Sequence, residues 1–295
     1  MAALTMAEAL RAIQQPDPTL AGVVQTYAEE SPILQFLRFT QGIGGKSSFN
    51  RWKTLPTSGF RALNAEFADS AGVTEKVEED LKISGGRVLI DDAIVDRTPQ
   101  AVIEQEMMQL ISLARTWNYT WFKGDGTANS FTGAQARIIG DQLIDTGTAK
   151  LDLNFLDKAL LALRGSDVKI MMGSDMEARI NQKSRTSPNV NYIPSNFGEA
   201  ISTYNGYPIA NAGLTTADGE VLDFSEGTGT DESSIYVVSF DPLKGAVGSQ
   251  TTAPKVKYTD ANSSTGSYKV QWDSNFQFKT LRSAYRIKGI TDLAI

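Results

Sequence analysis

Four short patterns in this sequence combine residue types that could carry out chemistry. The first is Gly-Gly-Lys-Ser at 44–47, which matches the end of a phosphate-binding loop, where a lysine and a hydroxyl contact phosphate oxygens. The motif needs a glycine five places before Gly45, but that position is occupied by Thr40. No parallel strand is predicted to lead into the pattern. We therefore predict a turn here and not a nucleotide site.

The second pattern is Asp125, Thr127 and Asn129, which matches the start of a calcium-binding EF-hand loop. Position six of that loop is Ser130 instead of glycine, and position twelve is Ala136 instead of glutamate. The residues that supply the sharp bend and the bidentate ligand are both missing. The pattern predicts a tight turn, with at most a weakly held surface cation.

The other two patterns are equally short. Ser166 and Lys169 match the S-x-x-K signature of a serine nucleophile, but neither of its companions, S-D-N and K-T-G, occurs in the chain. Asp91 and Asp92 offer two adjacent carboxylates, yet neighbours on a strand point to opposite faces and do not share a site. The sequence therefore predicts no catalytic, cofactor-binding or metal-binding residue, and no cofactor.

The composition closes most routes to catalysis. The 295 residues include no cysteine and no histidine, which excludes disulfides, thiolate nucleophiles, zinc–thiolate sites, Ser-His-Asp triads and HExxH zinc sites. A formal net charge of -6 leaves no excess of positive charge for binding many phosphates. Carboxylates, lysines and hydroxyls remain, so an enzyme is possible on this composition, but most of the common catalytic routes are closed.

Neither a membrane span nor an export signal is expected. No run approaches 18 consecutive apolar residues. Glu8 and Arg11 interrupt the N-terminal segment where a signal peptide would have its apolar core. We expect the protein to stay inside the cell that makes it.

The first 45 residues predict an arm made of two short helices. The first helix and the prolines that end it are Leu4, Ala7, Leu10, Ile13, Pro16 and Pro18. The second helix covers residues 33–37, and Gly42, Gly44 and Gly45 allow a sharp change of direction after it. Neither helix can bury its apolar face alone, so both need another surface to lie on.

Residues 46–90 predict a long two-stranded hairpin with few core residues of its own. A strand-like run with Phe49, Trp52 and Leu55 is interrupted at 56–59 by Pro-Thr-Ser-Gly. An acidic tip and then a returning strand at 88–90 are expected to follow. Because an isolated hairpin is marginal in water, this one also needs a surface to rest on.

The clearest helix begins at Thr98, a good N-cap, with Pro99 in the first helical position, and Gly124 ends it. Its apolar stripe consists of Ile103, Met107, Leu110, Ala114, Trp117 and Trp121. This stripe runs along about seven turns and predicts a central helix packed on a sheet. Met107 and Met108 are expected to fill the core.

Residues 151–245 have the pattern of an α/β or α+β domain. Asp152 is expected to cap a helix that Gly165 closes, and 174–177 has the capping-box spacing for another helix. The strands expected here are 168–172, 207–210 and 235–240. The segment 213–234 is rich in Gly, Thr and Ser and predicts a mobile loop.

The last segment gives the strongest β pattern. Its alternating apolar residues are Tyr268, Val270, Trp272, Phe276 and Phe278. This alternation predicts a strand with one buried face. Residues 281–290 are expected to pair with it.

In this order, the elements resemble the major capsid proteins of tailed bacteriophages, which have the HK97-type fold. Two stretches carry the resemblance in detail. Residues 121–127, Trp-Phe-Lys-Gly-Asp-Gly-Thr, with Phe-Thr-Gly at 131–133, resemble the turn after the family's long spine helix. Asn-Gly-Tyr-Pro-Ile at 205–209 resembles a strand start that is common in the family's axial domain.

The resemblance implies an α+β capsid fold with four parts. These are an N-terminal arm at 1–45, an extended loop at 46–96, a peripheral domain at 97–150 and 250–295, and an axial domain at 151–249. The extended loop would be a β-hairpin, and the long helix would be the spine of the peripheral domain.

The resemblance also implies a structural protein, not an enzyme, that self-assembles into the hexamers and pentamers of an icosahedral head. The head would enclose double-stranded DNA without sequence-specific binding. The expected partners are further copies of the chain, a separate scaffolding protein, a portal and, in some heads, a decoration protein. The shell would belong to the virion, and its subunits would be made in the cytoplasm of the bacterial host.

Two alternatives to a phage head stay open. The first is an encapsulin-like nanocompartment, in which the same fold would enclose a cargo protein. The second is a carboxylate-based hydrolase or a carbohydrate-binding protein, whose tryptophans would stack on sugars.

Overall fold

The computed structural model describes residues 30–98, 100–127, 129–163, 165–184, 190–194, 200–229, 231–262 and 265–291. The helix predicted within the first 15 residues lies outside these ranges. The helices are α1 (Pro32–Phe36), α2 (Asp92–Arg97), α3 (Gln100–Lys123), α4 (Ala134–Arg137), α5 (Leu153–Ala162) and α6 (Ser174–Ser184). The strands are β1 (Phe39–Gln41), β2 (Lys46–Thr54), β3 (Val73–Asp80), β4 (Lys82–Asp91), β5 (Leu143–Ala149), β6 (Val168–Met172), β7 (Val190–Pro194), β8 (Ala200–Tyr204), β9 (Tyr207–Asn211), β10 (Glu232–Ser239), β11 (Ala246–Gln250), β12 (Lys255–Asn262), β13 (Thr265–Phe278) and β14 (Ala284–Thr291).

The described strands form three sheets. One has the order β1-β11-β13-β12, with β4 also paired to β13. A second has seven strands in the order β5-β14-β10-β6-β9-β8-β7, and β2 and β3 form the third. The pairs β1–β11, β5–β14 and β6–β9 are parallel, whereas the other pairs are antiparallel. The fold is therefore α+β, as predicted.

Each large sheet has its own hydrophobic core. The core under the five-stranded sheet is built on α3, where the Trp117 and Trp272 rings lie 5.4 Å apart and the Trp121 and Phe276 rings 5.1 Å apart. These three tryptophans are buried, as the sequence predicts. The second core lies between the seven-stranded sheet and the helices α5 and α6.

The long helix α3 forms within its predicted bounds but is only partly covered. Thr98, the predicted N-cap, is the C-cap of α2, and Pro99 lies outside the described residues. The long helix ends at Gly124, whose N–H donates to the Thr120 carbonyl at 2.8 Å. Its apolar stripe is buried from Leu110 onward, whereas Met107 and Met108 are 46% and 60% exposed. The prediction that both methionines fill the core was wrong, because the described elements cover the second half of the helix and leave these two side chains exposed in its first half.

The short helix α2, which the sequence pattern did not indicate, precedes α3. Asp91 ends β4, and its carboxylate caps α2 by accepting a hydrogen bond from the Ala93 N–H at 2.8 Å. Asp92 is the first residue of the helix, where a negative charge is favourable. The two aspartates therefore start a helix and are not neighbours on a strand.

The predicted hairpin exists, but its return strand is a different one. β2 pairs with β3, so the acidic segment 75–80 is the return strand and not the tip. Cross-strand ion pairs stabilise this polar strand, at 3.2 Å between Arg51 and Glu75 and 3.5 Å between Lys46 and Asp80. Residues 88–90 belong to β4, which pairs with β13 instead.

The alternating segment near the C-terminus forms β13, as predicted. The expectation that 281–290 pairs with it was wrong. β14 lies between β10 and β5 in the seven-stranded sheet. Its side chains are nearly all buried, which is typical of a central strand covered on both faces.

The helices α5 and α6 begin at the predicted residues. Asp152 caps α5 by accepting a hydrogen bond from the Asn154 N–H at 3.0 Å, as predicted. At α6 the capping box does not form, because Glu220 accepts hydrogen bonds from both the N–H and the hydroxyl of Ser174. Glu177 instead accepts a hydrogen bond from the Ser202 hydroxyl at 2.6 Å.

Glu220 belongs to the segment 213–234, which is packed against α3. Val221 and Leu222 of this segment are buried. Lys123, near the end of α3, forms an ion pair with Asp223 at 3.4 Å. The prediction of a mobile loop was therefore wrong for its described residues, since apolar burial and an ion pair hold the segment in place.

Within the described ranges, we find no helix that combines the length and the hydropathy needed to cross a membrane.

Candidate assembly surfaces

The base of the β2–β3 hairpin is fastened to the five-stranded sheet by buried hydrogen bonds. The Gln277 side-chain amide donates to the hydroxyls of Ser47 and Ser249 at 2.9 and 3.1 Å. The Ser249 hydroxyl donates to that of Ser47 at 2.8 Å. Because this cluster is buried, water does not compete for its bonds, and the start of β2 is held firmly.

An ion pair holds the other strand of the hairpin. The Arg137 guanidinium of α4 contacts the two carboxylate oxygens of Glu79 at 2.8 and 3.1 Å. It also lies 4.5 Å from the centre of the Phe276 ring. The Asn275 side-chain amide donates to the Asp80 carbonyl at 2.8 Å. A bidentate pair has a defined geometry, so the hairpin leaves the sheet at a defined angle.

Beyond this base, the hairpin has little to pack against. Trp52 is 78% exposed, and residues 55–72, which we call the hairpin tip, are exposed throughout. The large apolar side chains of the tip are Leu55, Phe60, Leu63 and Phe67. Large exposed apolar patches are typical of interaction surfaces, so the tip is a candidate for one.

A cleft of about 740 Å³ opens beside the base of the hairpin. Phe49 and Trp52 line one wall, and Leu243 and Leu281 line the other. The Lys279 ammonium lies 4.3 Å from the centre of the Phe49 ring, and burial lowers the pKa of Lys279. Apolar walls with a cationic rim are suited to an apolar segment that also carries carboxylates.

The Gly-Gly-Lys-Ser pattern forms a turn, as predicted. Gly44 and Gly45 have φ values of +63° and +74°, in the left-handed region that favours glycine. They connect Ile43 to Lys46, which form a bridge. The Lys46 ammonium forms a surface ion pair with Asp80 across the two strands.

Asp125 also organises a turn, as predicted. Its carboxylate accepts hydrogen bonds from the Ser130 hydroxyl at 2.6 Å and from the Thr127 N–H at 3.2 Å. These bonds, the first above all, lower the pKa of Asp125. The part of the chain that the structure describes contains no group of three or more acidic side chains placed to hold a metal ion.

The S-x-x-K pair does not form a nucleophile and its base. The Ser166 hydroxyl donates to Asp241 at 2.7 Å, whereas the Lys169 ammonium pairs with Asp167 at 3.0 Å. Partial burial by itself raises the pKa of Asp241. Hydrogen bonds from Ser166 and from backbone N–H groups, including that of Leu243, outweigh burial and lower this pKa to about 2. The arrangement stabilises a corner of the fold.

A buried ion pair joins Glu226, in the segment 213–234, to Arg286 of β14. The Arg286 guanidinium lies 2.7 Å from the Glu226 carboxylate, and both side chains are about nine-tenths buried. Arg286 also donates to the Ser234 hydroxyl at 3.1 Å. Sequence reasoning missed this pair because no local spacing connects two residues so far apart in the chain.

Comparisons with known proteins give matches at the level of structure. No protein-family model matches the sequence, and no curated protein matches it. The SrpI encapsulin of Synechococcus elongatus PCC 7942 superposes with a TM-score of 0.70 at 14% identity, covering 88% of this chain and 87% of the other. The capsid of the native GTA particle gives 0.64 at 11% identity, with coverages of 90% and 91%. A Mycobacterium phage Bobi structure gives 0.62 at 11% identity, with the same coverages.

These likenesses extend over about nine-tenths of the chain and show that it has the HK97-type capsid fold. The resemblance drawn from the order of the elements is confirmed for the fold. Identities of 11–14% show the fold and not the function.

Proposed function

We propose that this chain is a structural shell protein, the major capsid protein of a tailed bacteriophage. Its copies would assemble into the hexamers and pentamers of an icosahedral head around double-stranded DNA. The observation that carries the proposal is the HK97-type fold, which this chain shares over most of its length with the capsid of the GTA particle.

The exposed surfaces support assembly of the chain with itself. The hairpin has a firmly held base and an apolar tip, which suits an element that docks on a neighbouring copy. The tip also carries Glu66 and Asp69, so it complements the apolar cleft and the Lys279 rim at the hairpin base of another copy. Repetition of such contacts around a closed symmetric shell would stabilise the whole assembly.

Further parts of the proposal come from the resemblance. We propose that the chain is divided into four parts, which are an N-terminal arm at 1–45, an extended loop at 46–96, a peripheral domain at 97–150 and 250–295, and an axial domain at 151–249. The hydrogen bonds of the seven-stranded sheet connect β5 and β14 of the proposed peripheral domain to strands of the axial domain. We also propose a separate scaffolding protein, a portal, a decoration protein in some heads, and a place in the virion.

An encapsulin-like nanocompartment is the second candidate function. The likeness to the SrpI encapsulin supports it as directly as the other likenesses support a phage head. The two functions differ in the contents of the shell, which are DNA in one and a cargo protein in the other. The carbohydrate-binding alternative loses its support, because three of the four tryptophans are buried in the core. The structural likenesses, which are to shell proteins, give no support to the hydrolase alternative.

Electron microscopy of the purified chain, expressed alone and together with its neighbouring genes, tests the proposal. We expect closed shells, tubes, or rings of five and six subunits. Nucleic acid inside the shells would support the phage head, and a single enclosed protein would support the nanocompartment. A monodisperse monomer under every condition, including co-expression, would contradict both functions.

A further inference from the structure

Four positive side chains share one face of the five-stranded sheet. Lys257, Lys269 and Arg87 lie directly opposite one another on β12, β13 and β4. Lys255 lies two residues from Lys257 on the same strand. Residues paired across strands, and residues two apart on one strand, point to the same face of a sheet. All four side chains are exposed, and we call this surface the basic sheet face.

The folded chain leaves these charges without compensation. Among the described residues, none of the four side chains forms an ion pair, and Arg87 donates to a neutral partner, the Ser267 hydroxyl, at 2.7 Å. Asp273 belongs to the same face but lies four residues from Lys269, about 13 Å away along β13. Like charges directly opposite one another repel, so the row costs stability in the single chain. Negative charges lying against the face would offset this cost.

The apolar residues of the basic sheet face favour a protein as its partner over a nucleic acid. Ile83 and Leu89 of β4 point to this face and are more than half exposed. Contacts to nucleic acid are made largely to phosphate and sugar by charged and polar groups, and an exposed isoleucine or leucine adds nothing to them. Apolar residues mixed with charges are instead typical of surfaces where two proteins meet.

The other side of the sheet carries the opposite charge. α3 crosses that side, where a Cβ atom at Gly86 would meet the Gln109 side-chain amide. Tyr268, next to Lys269 on β13, points to the same side as α3. Partial burial raises the pKa of Tyr268, and the nearby carboxylates of Glu106 and Asp92 raise it further. The side of the sheet that is opposite to the row of cations is therefore acidic.

The acidic character extends over α2 and the beginning of α3. From residue 92 to residue 106 the sequence has four acidic residues and one basic residue. Asp96 and Glu104 are exposed, and neither forms an ion pair within the described part of the chain. Ile94 and Ile103, close to them in the chain, are about half exposed. We call this surface, with Glu106, the acidic helix side. Like the basic sheet face, it combines one sign of charge with exposed apolar residues.

We propose that the basic sheet face of one copy of this chain binds the acidic helix side of a second copy. Both surfaces belong to one chain and lie on opposite sides of one sheet, so each copy can use both at once. A contact between two different patches continues from copy to copy and gives a ring when the rotation closes. The inference rests on the proposed shell function, because it requires many copies of the chain to meet.

Charge reversal followed by repair tests the proposal. The sheet-face variant carries Lys255→Glu and Lys269→Glu, and the helix-side variant carries Asp96→Lys and Glu104→Lys. A third variant carries all four changes. We expect each double variant to lower the assembled fraction at least about fivefold, and the fourfold variant to recover at least about half of the native fraction, since opposite charges again lie across the contact. Sedimentation measures the assembled fraction, and circular dichroism checks the fold of each variant.

The matched control is Lys150→Glu with Lys158→Glu. It changes the net charge by the same amount as the sheet-face variant, at exposed positions outside both surfaces, and should assemble like the native chain. A fourfold variant that assembles no better than the double variants would overturn the proposal, and is the result expected if the sheet face bound nucleic acid. Normal assembly of the sheet-face variant would overturn it as well.

Disulfide capture gives a readout that does not need closed shells, because the full chain has no cysteine. One preparation carries Lys269→Cys, and a second, with a tag that changes its size on a gel, carries Glu104→Cys. The two are mixed at low salt, oxidised mildly and separated without reductant. We expect the mixed disulfide to exceed its statistical share, since opposite surfaces attract and like surfaces repel under these conditions. A statistical mixture of the three dimers would contradict the proposed contact.

Together the two measurements separate this contact from the proposed function. Shells formed by the native chain, combined with a statistical mixture of disulfides, would leave the shell function standing and overturn the contact. An excess of the mixed disulfide in a chain that never forms shells would support the contact and contradict the shell function.

Discussion

Asp241 illustrates how the carboxylates of this protein are used at the scale of single residues. Its side chain accepts hydrogen bonds from the Ser166 hydroxyl at 2.7 Å and from the N–H groups of Leu243 and Lys244 at 2.8 and 3.1 Å. Asp145 accepts comparable bonds, from Lys288 above all, and its pKa is also lowered. Such carboxylates hold turns in the ionised form and are committed to structure.

We expect Asp241→Asn to lower the free energy of unfolding by about 1 kcal/mol at neutral pH, because the group is partly exposed and its interactions are screened. A pKa lowered to about 2 stabilises the fold above the group's ordinary pKa, and this stability is lost as the pH falls towards 2. The variant should therefore lose less stability than the native chain over that acidic range. Urea unfolding at neutral and acidic pH measures both effects. If the unfolding free energies of the two chains depended on pH in the same way, the lowered pKa of Asp241 would be contradicted.

Asp91→Asn and Asp92→Asn should leave assembly largely intact. Asparagine is as good an N-cap as aspartate, so α2 keeps its first hydrogen bond in the Asp91→Asn variant. The yield of shells in electron micrographs, with circular dichroism as a check on folding, measures the effect. A specific loss of shells from a well-folded variant would show that the two carboxylates have a role in function.

At the scale of elements, the hairpin depends on residues outside its own two strands. On the side of the hairpin that is partly buried, the apolar residues of β2 and β3 are Phe49 and Val77. Polar contacts to α4, β11 and β13 hold the rest of its base. A two-stranded ribbon of this kind is unstable alone. Its orientation therefore depends on the Glu79–Arg137 pair and on the buried hydrogen bonds of Ser47.

We expect Glu79→Gln to loosen the base of the hairpin, since Arg137 loses its bidentate partner in a partly buried position. Hydrogen–deuterium exchange should become faster in β2 and β3, while the unfolding free energy falls by about 1–3 kcal/mol. Glu78→Gln is the matched control, because its carboxylate pairs with Lys76 at the surface of the same strand. Equal effects of both variants would contradict a special role for Glu79.

A second prediction at this scale concerns a row of positive charges across three strands. Lys257, Lys269 and Arg87 lie directly opposite one another on β12, β13 and β4. Like charges in such positions repel, so Lys269→Gln should raise the unfolding free energy by about 0.2–1 kcal/mol. Lys255→Gln, opposite the neutral Gln271, is the control and should have a smaller effect. Urea unfolding of the unassembled chain at low salt measures the difference.

At the scale of the whole molecule, the parts that protrude are the parts with the least core. The hairpin tip exposes large apolar residues, and Trp52 beside it is largely exposed. A single copy has no described surface that covers them. The molecule therefore has the properties of a subunit whose stability is completed by its neighbours.

Trp52→Ala should reduce assembly more than it reduces the stability of the single chain, because the indole is 78% exposed before assembly. Deleting residues 1–15 should have the same kind of effect. Leu161→Ala, on the exposed side of α5, is the control and should assemble normally. Shell yield and the melting temperature of the unassembled chain measure the two effects separately. Normal shells from both assembly variants would place the contacts between subunits elsewhere.

Local residue patterns were enough to predict several of the elements. The stripe of α3, the Asp152 cap of α5, the alternation in β13 and the Gly44–Gly45 turn all follow from residues within a few positions of each other. The order of these elements was also sufficient to identify the capsid fold. These features are predictable because helices, strands and turns satisfy most of their hydrogen bonds and side-chain contacts within a short stretch of chain.

The pairing of distant segments, in contrast, is visible only in the folded molecule. The strand that pairs with β2 is β3 and not residues 88–90, and β14 joins the seven-stranded sheet. Glu220 accepts a hydrogen bond from Ser174 at the start of α6, although it belongs to a segment that was expected to be mobile. The exposure of Met107 and Met108 is also visible only in the fold, since periodicity shows which side of a helix is apolar but not what covers it. Such contacts join residues that are far apart in the chain, and their partners are selected by packing of the whole molecule and leave no trace in local spacing.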